Sequence, residues 1–519
     1  MTSSTQTKNP ETETHSSRTR IVLACLILVV ASGALLRIAY INSDSIWLDE
    51  AYSIYVAHEN LSGIVDEASN DVHPPLYYFL LHYWINLFGD SEQSARLLSA
   101  LFGIISIALA YKLAALLFDR ATGILAALLL AFSHINIEFS QETRMYSLLV
   151  MLTLVSLYFF LKLFGGRSNW ILAAYLLSSI LLMHTHVYGL FVVIAENAFF
   201  LTLYFYRREI FRQMIKRWLL AQSILFLLFL PWLTVLIHQV LRVRKGCWIP
   251  RPTWTEFNLT WVTFSGSYHL AWLLLPLAAI PVILLLKRLS RASASFVNTE
   301  NQSDSRLPFT NRQRILFLLI WLAGVVLIPF VVSHFVTPIF LLKYTIAASP
   351  AFLILVARGI TSLRPLPVRA ILVVTFLILA LADMRDYYSA VKKDLWRDAV
   401  AFFNQKAQPG DLVLFTEAAA HMPFDYYARR TDIAEKPFPE YNQQLGRYEE
   451  LRDDNIAELL NREIGGHDRV WIVLSHQNEW SHMAPDKMSE WYVTSEHRIY
   501  PGVEIYLFER EPTGQYRLR

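Results

Sequence analysis

The chain has 519 residues, of which 54% are hydrophobic and 17% are charged, and its mean hydropathy is +0.35. Average soluble proteins contain about 45–50% apolar and about 25% charged residues, so this composition excludes a disordered chain, an ordinary soluble enzyme and a nucleic-acid-binding protein. The net charge of +3 is too small to attract polyanions by itself. With only two cysteines, Cys25 and Cys247, the chain has neither a disulfide scaffold nor a cysteine-rich metal site.

Apolar runs dominate the chain after a polar start, residues 1–20, which is predicted to be a disordered cytoplasmic tail. A helix that crosses a bilayer core about 30 Å thick needs about 20 mostly apolar residues. Seven runs meet this requirement clearly: Ile21–Ile41, Leu97–Phe118, Ser147–Phe164, Trp218–Ile237, Leu270–Leu286, Ile315–Val332 and Ala370–Ala382. Four are shorter or less uniform: Ile124–Phe139, Ile171–Met183, Leu190–Tyr206 and Ile339–Val356. The sequence therefore predicts about eleven transmembrane helices in a membrane domain of residues 21–384. The first is expected to be a retained anchor, because Arg37 is not followed by a small-residue cleavage site.

The distribution of Lys and Arg predicts the orientation of these helices, because cytoplasmic loops are enriched in both. Residues 42–94 contain nine acidic residues and no Lys or Arg, whereas basic residues gather at 207–217, 287–314 and 358–369. The N-terminus is therefore predicted to be cytoplasmic and 42–94 to be the first outer loop. The segment 385–519, with 17 basic and 23 acidic residues, is predicted to lie outside the cytoplasm.

Residues 385–519 are expected to form a small extracytoplasmic α/β domain. Helical spacing of apolar residues marks Leu395–Gln405, and a Pro-Gly-Asp turn follows it. Strands are predicted at Leu412–Phe415, Val470–Leu474 and Val503–Phe508. The fold class is therefore an all-α polytopic membrane protein with a C-terminal α/β domain.

The pair Asp49–Glu50 differs from the other acids of the first outer loop. It follows Ile46-Trp47-Leu48, whose apolar and aromatic side chains would keep the pair at the membrane surface. A carboxylate there can act as a general base on a hydroxyl or help to hold a divalent cation, the one cofactor that the sequence suggests. The alternative is an ordinary solvated loop that obeys the charge rule.

His73 precedes two prolines, Pro74 and Pro75, which hold the backbone in a rigid corner. An imidazole at such a corner could bind phosphate, carry a proton or ligate a metal ion. The alternative is a helix-start proline with an incidental histidine.

Two further groups are predicted on the outer side. Glu142, Arg144 and Tyr146 follow the apolar run Ile124–Phe139, and His184 and His186 follow the run Ile171–Met183. Charges at the end of a span are commonly interfacial, and two histidines two residues apart are not a helical metal pair.

Basic residues in two places break the charge rule: Arg242, Arg244, Lys245 and Arg251 in one, and Lys343 beside Tyr344 in the other. A positive cluster on the outer side indicates an anionic partner, for which a lipid phosphate is the obvious candidate. The alternatives are contacts with the acidic first loop or a different topology.

Taken in order, these motifs resemble the bacterial PMT-type glycosyltransferases, relatives of protein O-mannosyltransferases and of lipid A aminoarabinose transferases. The resemblance covers about residues 20 to 384. It rests on Asp49-Glu50, His73-Pro74-Pro75-Leu76-Tyr77, Arg96-Leu97-Leu98-Ser99, Gln141 to Tyr146, His184 to Gly189 and Lys343-Tyr344. It implies a GT-C fold in the cell (inner) membrane and transfer of a sugar from a polyprenyl-phosphate carrier to a lipid, glycan or protein acceptor.

By this resemblance Asp49 is the catalytic base of an inverting transfer, and Glu50 supports it or helps to bind a metal. The residues implied in substrate binding are His73, Glu142, Arg144, Tyr146, His186, Arg242, Arg244, Lys245, Lys343 and Tyr344. In the aminoarabinose transferases, Glu-Lys precedes the paired prolines, whereas this chain has Val72-His73, which argues against that donor and a lipid A acceptor.

Two other functions fit part of the pattern. A flippase or transporter of lipid-linked sugars would use the basic cluster and the intramembrane Glu196. A non-catalytic assembly protein of the envelope would work through its C-terminal domain. A flippase explains neither the acidic first loop nor the large outer domain.

Overall fold

The computed structural model describes residues 10–244, 249–292, 307–439, 441–442, 447–448, 451–475 and 482–510. The chain divides into two compact units. The first, here the membrane unit, comprises Met1–Ile41, Glu59–Asp90 and Ser94–Ser389. The second, here the C-terminal unit, comprises Asn42–His58, Ser91–Gln93 and Ala390–Arg519, so it includes part of the predicted first outer loop.

The described residues are mostly helical. In chain order the α-helices are α1 Pro10–Ile38, α2 Leu48–His58, α3 Leu61–Asn70, α4 Leu76–Phe88, α5 Glu92–Leu117, α6 Arg120–Ala131, α7 His134–Glu138, α8 Tyr146–Lys162, α9 Asn169–Met183, α10 Tyr188–Tyr206, α11 Arg208–Val243, α12 Trp254–Ser265, α13 Tyr268–Ala292, α14 Asn311–Leu322, α15 Ile328–Phe335, α16 Ser349–Ser362, α17 Leu366–Ser389, α18 Trp396–Lys406, α19 His421–Ala428, α20 Ile456–Ile464 and α21 Met483–Met488. A π-helical turn, Ala323–Leu327, joins α14 to α15, and a 3-10 segment, Leu342–Ala348, precedes α16.

Nine helical stretches in the described part of the chain are long and apolar enough to cross a membrane. They are Thr19–Ile38, Glu92–Leu117, Tyr146–Gly165, Tyr188–Tyr206, Arg208–Val243, Tyr268–Lys287, Asn311–Phe335, Leu342–Ser362 and Leu366–Ser389. The other two predicted spans correspond to shorter apolar helices, Arg120–Ala131 and Asn169–Met183. The prediction of a multi-pass helical membrane protein is confirmed.

One predicted span, Ile124–Phe139, is not continuous, because α6 ends at Ala131 and α7 begins at His134. The guanidinium of Arg37 donates to the carbonyls of Ala131 at 3.0 Å and Leu130 at 3.1 Å. These carbonyls lie at the end of α6, where no further turn of helix donates to them, and the Leu130 carbonyl also accepts a 3.3 Å bond from the Ser133 N–H. The buried Arg37 side chain therefore caps α6 and ties it to α1.

Close helix packing in the membrane unit depends on glycine. A Cβ atom placed on Gly359 of α16 would lie 1.9 Å from the backbone oxygen of Leu277 in α13. The two helices thus approach to backbone contact, which small residues permit in membrane bundles.

The C-terminal unit contains a five-stranded sheet in the order β2-β1-β5-β7-β6. Its strands are β1 Leu412–Phe415, β2 Ala434–Pro437, β5 Arg469–Ser475, β6 Val493–Tyr500 and β7 Val503–Glu509, and the hairpin β3 Tyr441–Asn442 with β4 Arg447–Tyr448 stands apart. β1 pairs in parallel with β2 and β5, while β7 runs antiparallel to β5 and β6. Apolar clusters cover both faces, one around Trp471 and Phe403 and the other around Ile472 and Leu460. The predicted α/β fold is confirmed.

Candidate functional site

The predicted corner at residues 73–75, just before α4, is held by the C-terminal end of α11. Gln239 donates from Nε2 to the carbonyl of Ala68 at 3.0 Å, and Arg242 donates to the carbonyl of Asp71 at 2.8 Å. Both carbonyls lie at the end of α3, which is the end that attracts cationic and amide donors. Arg242, predicted to bind phosphate, thus supports the corner through its guanidinium.

The same corner is joined to the loop between α9 and α10. The backbone N–H of Leu76 donates to the carbonyl of His184 at 3.1 Å. This bond places the two histidine motifs that the sequence analysis identified side by side, and the rings of His73 and His186 lie 4.9 Å apart. Both side chains are buried.

Three tyrosines complete a ring cluster around His186. The ring of Tyr344 lies 4.7 Å from His186 and 5.8 Å from His73. The ring of Tyr146 lies 6.0 Å from His186 and 6.1 Å from Tyr344. Tyr188, which the sequence did not single out, lies 5.5 Å from His186. The structure therefore brings together four predicted residues from separate parts of the chain.

Two cations join this cluster. The ammonium of Lys343 lies 5.9 Å from the centroid of the Tyr146 ring. Arg144 is 4% exposed, and its carbonyl accepts a hydrogen bond from the Ser99 hydroxyl at 3.1 Å. The backbone N–H of Arg144 donates to the carbonyl of Glu142, so Glu142 shapes the turn that carries this cation.

The electrostatics around His186 show that the cluster is positive. Burial lowers the pKa of His186 well below its usual value, and the charges of His73, Arg144 and Lys343 lower it further. The Nδ1 atom of His186 accepts a hydrogen bond from the backbone N–H of Tyr188 at 3.1 Å. A neutral imidazole that accepts at Nδ1 carries its proton on Nε2. That Nε2 is buried and makes no hydrogen bond within the described residues, so the cluster offers it as a donor to an anion.

Asp49 and Glu50 belong to the C-terminal unit. Both lie in the first turn of α2, where the helix dipole favours negative charge. The carbonyl of Asp49 accepts a hydrogen bond from Ser53 at 3.0 Å, and its side chain is partly exposed. Glu50 is fully buried, and its carboxylate lies 3.0 Å from the ammonium of Lys393, a residue that the sequence analysis missed.

The remaining candidates lie elsewhere. Arg244 is exposed at the end of α11, and Lys245 falls outside the described residues. Glu196, the intramembrane carboxyl, accepts hydrogen bonds from Ser156 at 2.7 Å and Tyr175 at 2.8 Å, so it pairs within the helix bundle. Across the part of the chain that the structure describes, no three His, Cys, Asp or Glu side chains gather as a metal site.

Comparison with known proteins agrees with this architecture. The family model described as dolichyl-phosphate-mannose-protein mannosyltransferase matches residues 72–234. No curated protein matches the chain. ArnT from Cupriavidus metallidurans in the apo state has a similar structure, with a TM-score of 0.56, 13% identity, and coverage of 95% of this chain and 98% of that one.

Two further structures are similar. ArnT from Cupriavidus metallidurans bound to undecaprenyl phosphate has a TM-score of 0.53 and 14% identity, and the match covers 93% of this chain and 97% of that one. The archaeal oligosaccharyltransferase AglB from Archaeoglobus fulgidus, in complex with an inhibitory peptide and a dolichol-phosphate, has a TM-score of 0.52 and 11% identity. That match covers 96% of this chain and 77% of AglB.

At such low identity these structures speak for the fold, and they confirm that it is of the GT-C type. Together with the family match, they confirm the resemblance to PMT-type membrane glycosyltransferases that the sequence motifs predict.

Proposed function

We propose that this protein transfers a sugar from a polyprenyl-phosphate carrier to an acceptor at the extracytoplasmic face of the cell membrane. The observation that carries the proposal is the cluster in which the cations Arg144 and Lys343 lie beside the buried imidazoles of His73 and His186. Buried cations and a directed N–H donor are the groups that bind phosphate oxygens strongly. A lipid-linked phosphate is the anion that a membrane enzyme meets at this position.

The cluster stabilises the leaving group. When the bond between the anomeric carbon and the phosphate oxygen breaks, negative charge grows on the phosphate. Arg144 and Lys343 stabilise this charge, and the Nε2–H of His186 donates a hydrogen bond to it. The rings of Tyr146 and Tyr344 exclude water, which strengthens these interactions.

Asp49 acts as the base toward the acceptor. This assignment rests on the family resemblance. The Asp49 carboxylate takes the proton of the acceptor hydroxyl, whose oxygen attacks the anomeric carbon with inversion. The carbon–phosphate-oxygen bond breaks in the same step, and the polyprenyl phosphate leaves. The basic loops at 207–217, 287–314 and 358–369 support a cytoplasmic N-terminus and an outer location for Asp49.

The phosphate site is tested by binding of undecaprenyl phosphate to the purified full chain in detergent. Lys343→Met is expected to weaken binding at least about tenfold, because a hydrogen-bonded or ion-paired charge contributes about 1.5–3 kcal/mol. Lys162→Met is the matched control, since Lys162 lies 5.9 Å from the Tyr158 ring, the same distance as Lys343 from Tyr146. Equal affinity of Lys343→Met and the unmodified protein would contradict the site.

The transfer step is tested in proteoliposomes with a panel of radiolabelled undecaprenyl-phosphate monosaccharides. Asp49→Asn is expected to bind undecaprenyl phosphate normally and to lose sugar transfer. Transfer that persists in Asp49→Asn would exclude Asp49 as the base. Net movement of the labelled lipid across the bilayer, without transfer, would favour a flippase instead.

A further inference from the structure

The C-terminal unit brings the residues that follow Ala390 against the start of the first outer loop. Lys392 lies 3.5 Å from the carboxylate of Asp44, and Lys393 lies 3.0 Å from the carboxylate of Glu50. Arg397 pairs with Glu92, with its Nε 3.0 Å from one carboxylate oxygen. These three contacts are ion pairs between the acidic loop and the described residues after Ala390.

The pair of Glu50 and Lys393 differs from the other two in its burial. The Glu50 side chain is 0% exposed and that of Lys393 is 11% exposed. A buried carboxylate is strongly destabilising unless a nearby positive charge compensates it. The ammonium of Lys393 supplies such a charge to Glu50 inside the unit.

Further contacts fix the backbone just before Asp49. The backbone N–H of Ile46 donates to the Tyr427 hydroxyl at 2.7 Å, and that hydroxyl donates to Glu92 at 2.7 Å. The backbone N–H of Glu50 donates to the carbonyl of Trp47 at 3.0 Å, which closes the first turn of α2. Asp49 thus lies between a tethered residue and a buried neighbour.

We infer that Lys393 is a positioning residue for sugar transfer: by holding Glu50 inside the C-terminal unit, it sets the position of the Asp49 carboxylate. The inference rests on the proposed function, in which Asp49 takes the proton. It gives the C-terminal domain a part in the reaction, since it is this domain that supplies Lys393. Glu50 then acts as the anchor through which Lys393 works.

The test compares transfer kinetics of full-length variants with the panel of labelled undecaprenyl-phosphate monosaccharides. Lys393→Met is expected to lower kcat about 10- to 100-fold, because displacement of a catalytic group by about 1 Å has an effect of this size. The KM for the lipid donor is expected to stay unchanged, because Arg144 and Lys343 are untouched. Lys393→Arg keeps the charge and should recover most of the rate.

Two further variants separate positioning from loss of folding. The double variant Lys393→Met with Glu50→Gln contains no uncompensated carboxylate, so it should be faster than Lys393→Met alone. Lys406→Met is the matched control, since Lys406 forms a half-exposed ion pair of 2.7 Å with Glu496 in the same unit. This control should keep the full rate. Rates are expressed per folded protein, measured by the thermal unfolding signal.

The outcomes distinguish the two proposals. If Asp49→Asn abolishes transfer while Lys393→Met keeps the full kcat, the positioning role is overturned and the proposed function stands. A decrease in kcat that Lys393→Arg does not reverse, or one that equals the effect of Lys406→Met, also overturns it. If Asp49→Asn itself transfers sugar normally, the assignment of the base fails first.

Discussion

The imidazole rings of His73 and His186 lie 4.9 Å apart with an angle of 33° between their planes. Two prolines hold one ring at its corner, and the hydrogen bond from Leu76 to the carbonyl of His184 brings the other loop to it. The contact joins two motifs that are far apart in the sequence. It lies within the cluster that we propose to bind phosphate.

Replacement of His186 tests its Nε2–H donor directly. His186→Phe keeps an aromatic ring among Tyr146, Tyr188 and Tyr344 but removes the donor. We expect the Kd for undecaprenyl phosphate to rise about 10- to 100-fold, because a hydrogen bond to a charged group contributes about 1.5–3 kcal/mol. Equilibrium binding in detergent measures this change. His184→Phe is the control, because the His184 ring packs on Phe229 and should leave binding unchanged.

Arg37 is predicted to be essential for the stability of the membrane unit. Arg37→Met removes the guanidinium that donates to the carbonyls of Leu130 and Ala131 in the interior of the bundle, and the Leu130 carbonyl keeps the 3.3 Å bond from the Ser133 N–H. The expected loss is about 3 kcal/mol of unfolding free energy, since an unsatisfied buried polar group costs about 1–3 kcal/mol. A clear fall in the thermal midpoint of the detergent-solubilised protein would show it. An unchanged midpoint would mean that Arg37 does not cap α6.

Replacement of Gly359 tests the close approach of α13 and α16. In Gly359→Ala the new methyl group meets the Leu277 carbonyl, so the helices must separate, at a cost of about 1–3 kcal/mol. Gly166→Ala is the matched control, because no atom lies within 4 Å of a Cβ there and its φ of 161° is extended backbone. Thermal unfolding should show a lower midpoint for Gly359→Ala only. Equal midpoints for both variants would contradict the close packing.

The raised pKa of Glu435 predicts that the stability of the C-terminal unit depends on pH. Burial, together with the neighbouring Asp425 carboxyl, raises the pKa of Glu435 to about 8 from 4.5. Between these values the folded protein holds a proton that the unfolded chain releases, so this group's stabilising contribution falls as the pH rises from 4.5 to 8. Glu435→Gln imitates the protonated form and removes the dependence.

The measurement is the thermal midpoint of the full chain in detergent at pH 5 and at pH 9. Glu435→Gln should match the unmodified protein at pH 5 and exceed it at pH 9. Glu458→Gln, at an exposed position of α20, should follow the unmodified protein at both values. If Glu435→Gln gave no advantage at pH 9, the raised pKa would be wrong.

Hydrophobic patterns were sufficient to predict the apolar helices, since all eleven apolar runs contain helix, and the strand predicted to begin at Leu412 is observed over Leu412–Phe415. β6 escaped prediction because it is an exposed edge strand with mainly polar residues. The ion pair of Lys393 with Glu50 was not predicted either, since nothing in the sequence near Lys393 indicates its partner. The acidic first loop and the basic residues after Ala390 are complementary in charge, but such complementarity does not say which residues pair.

The C-terminal unit is assembled from segments at the two ends of the sequence, because residues 42–58 fold with residues that follow Ala390. During synthesis, α2 therefore emerges long before Lys393 and Tyr427, which hold it in the finished protein. Helices α3 to α17 are made in the interval. Since domains fold as their parts become available, the loop that carries Asp49 reaches its final environment only near the end of translation. Under the proposed function, a chain whose synthesis stops after α17 would contain the proposed phosphate-binding cluster and lack Lys393 and Tyr427, so it would bind the lipid carrier without transferring its sugar.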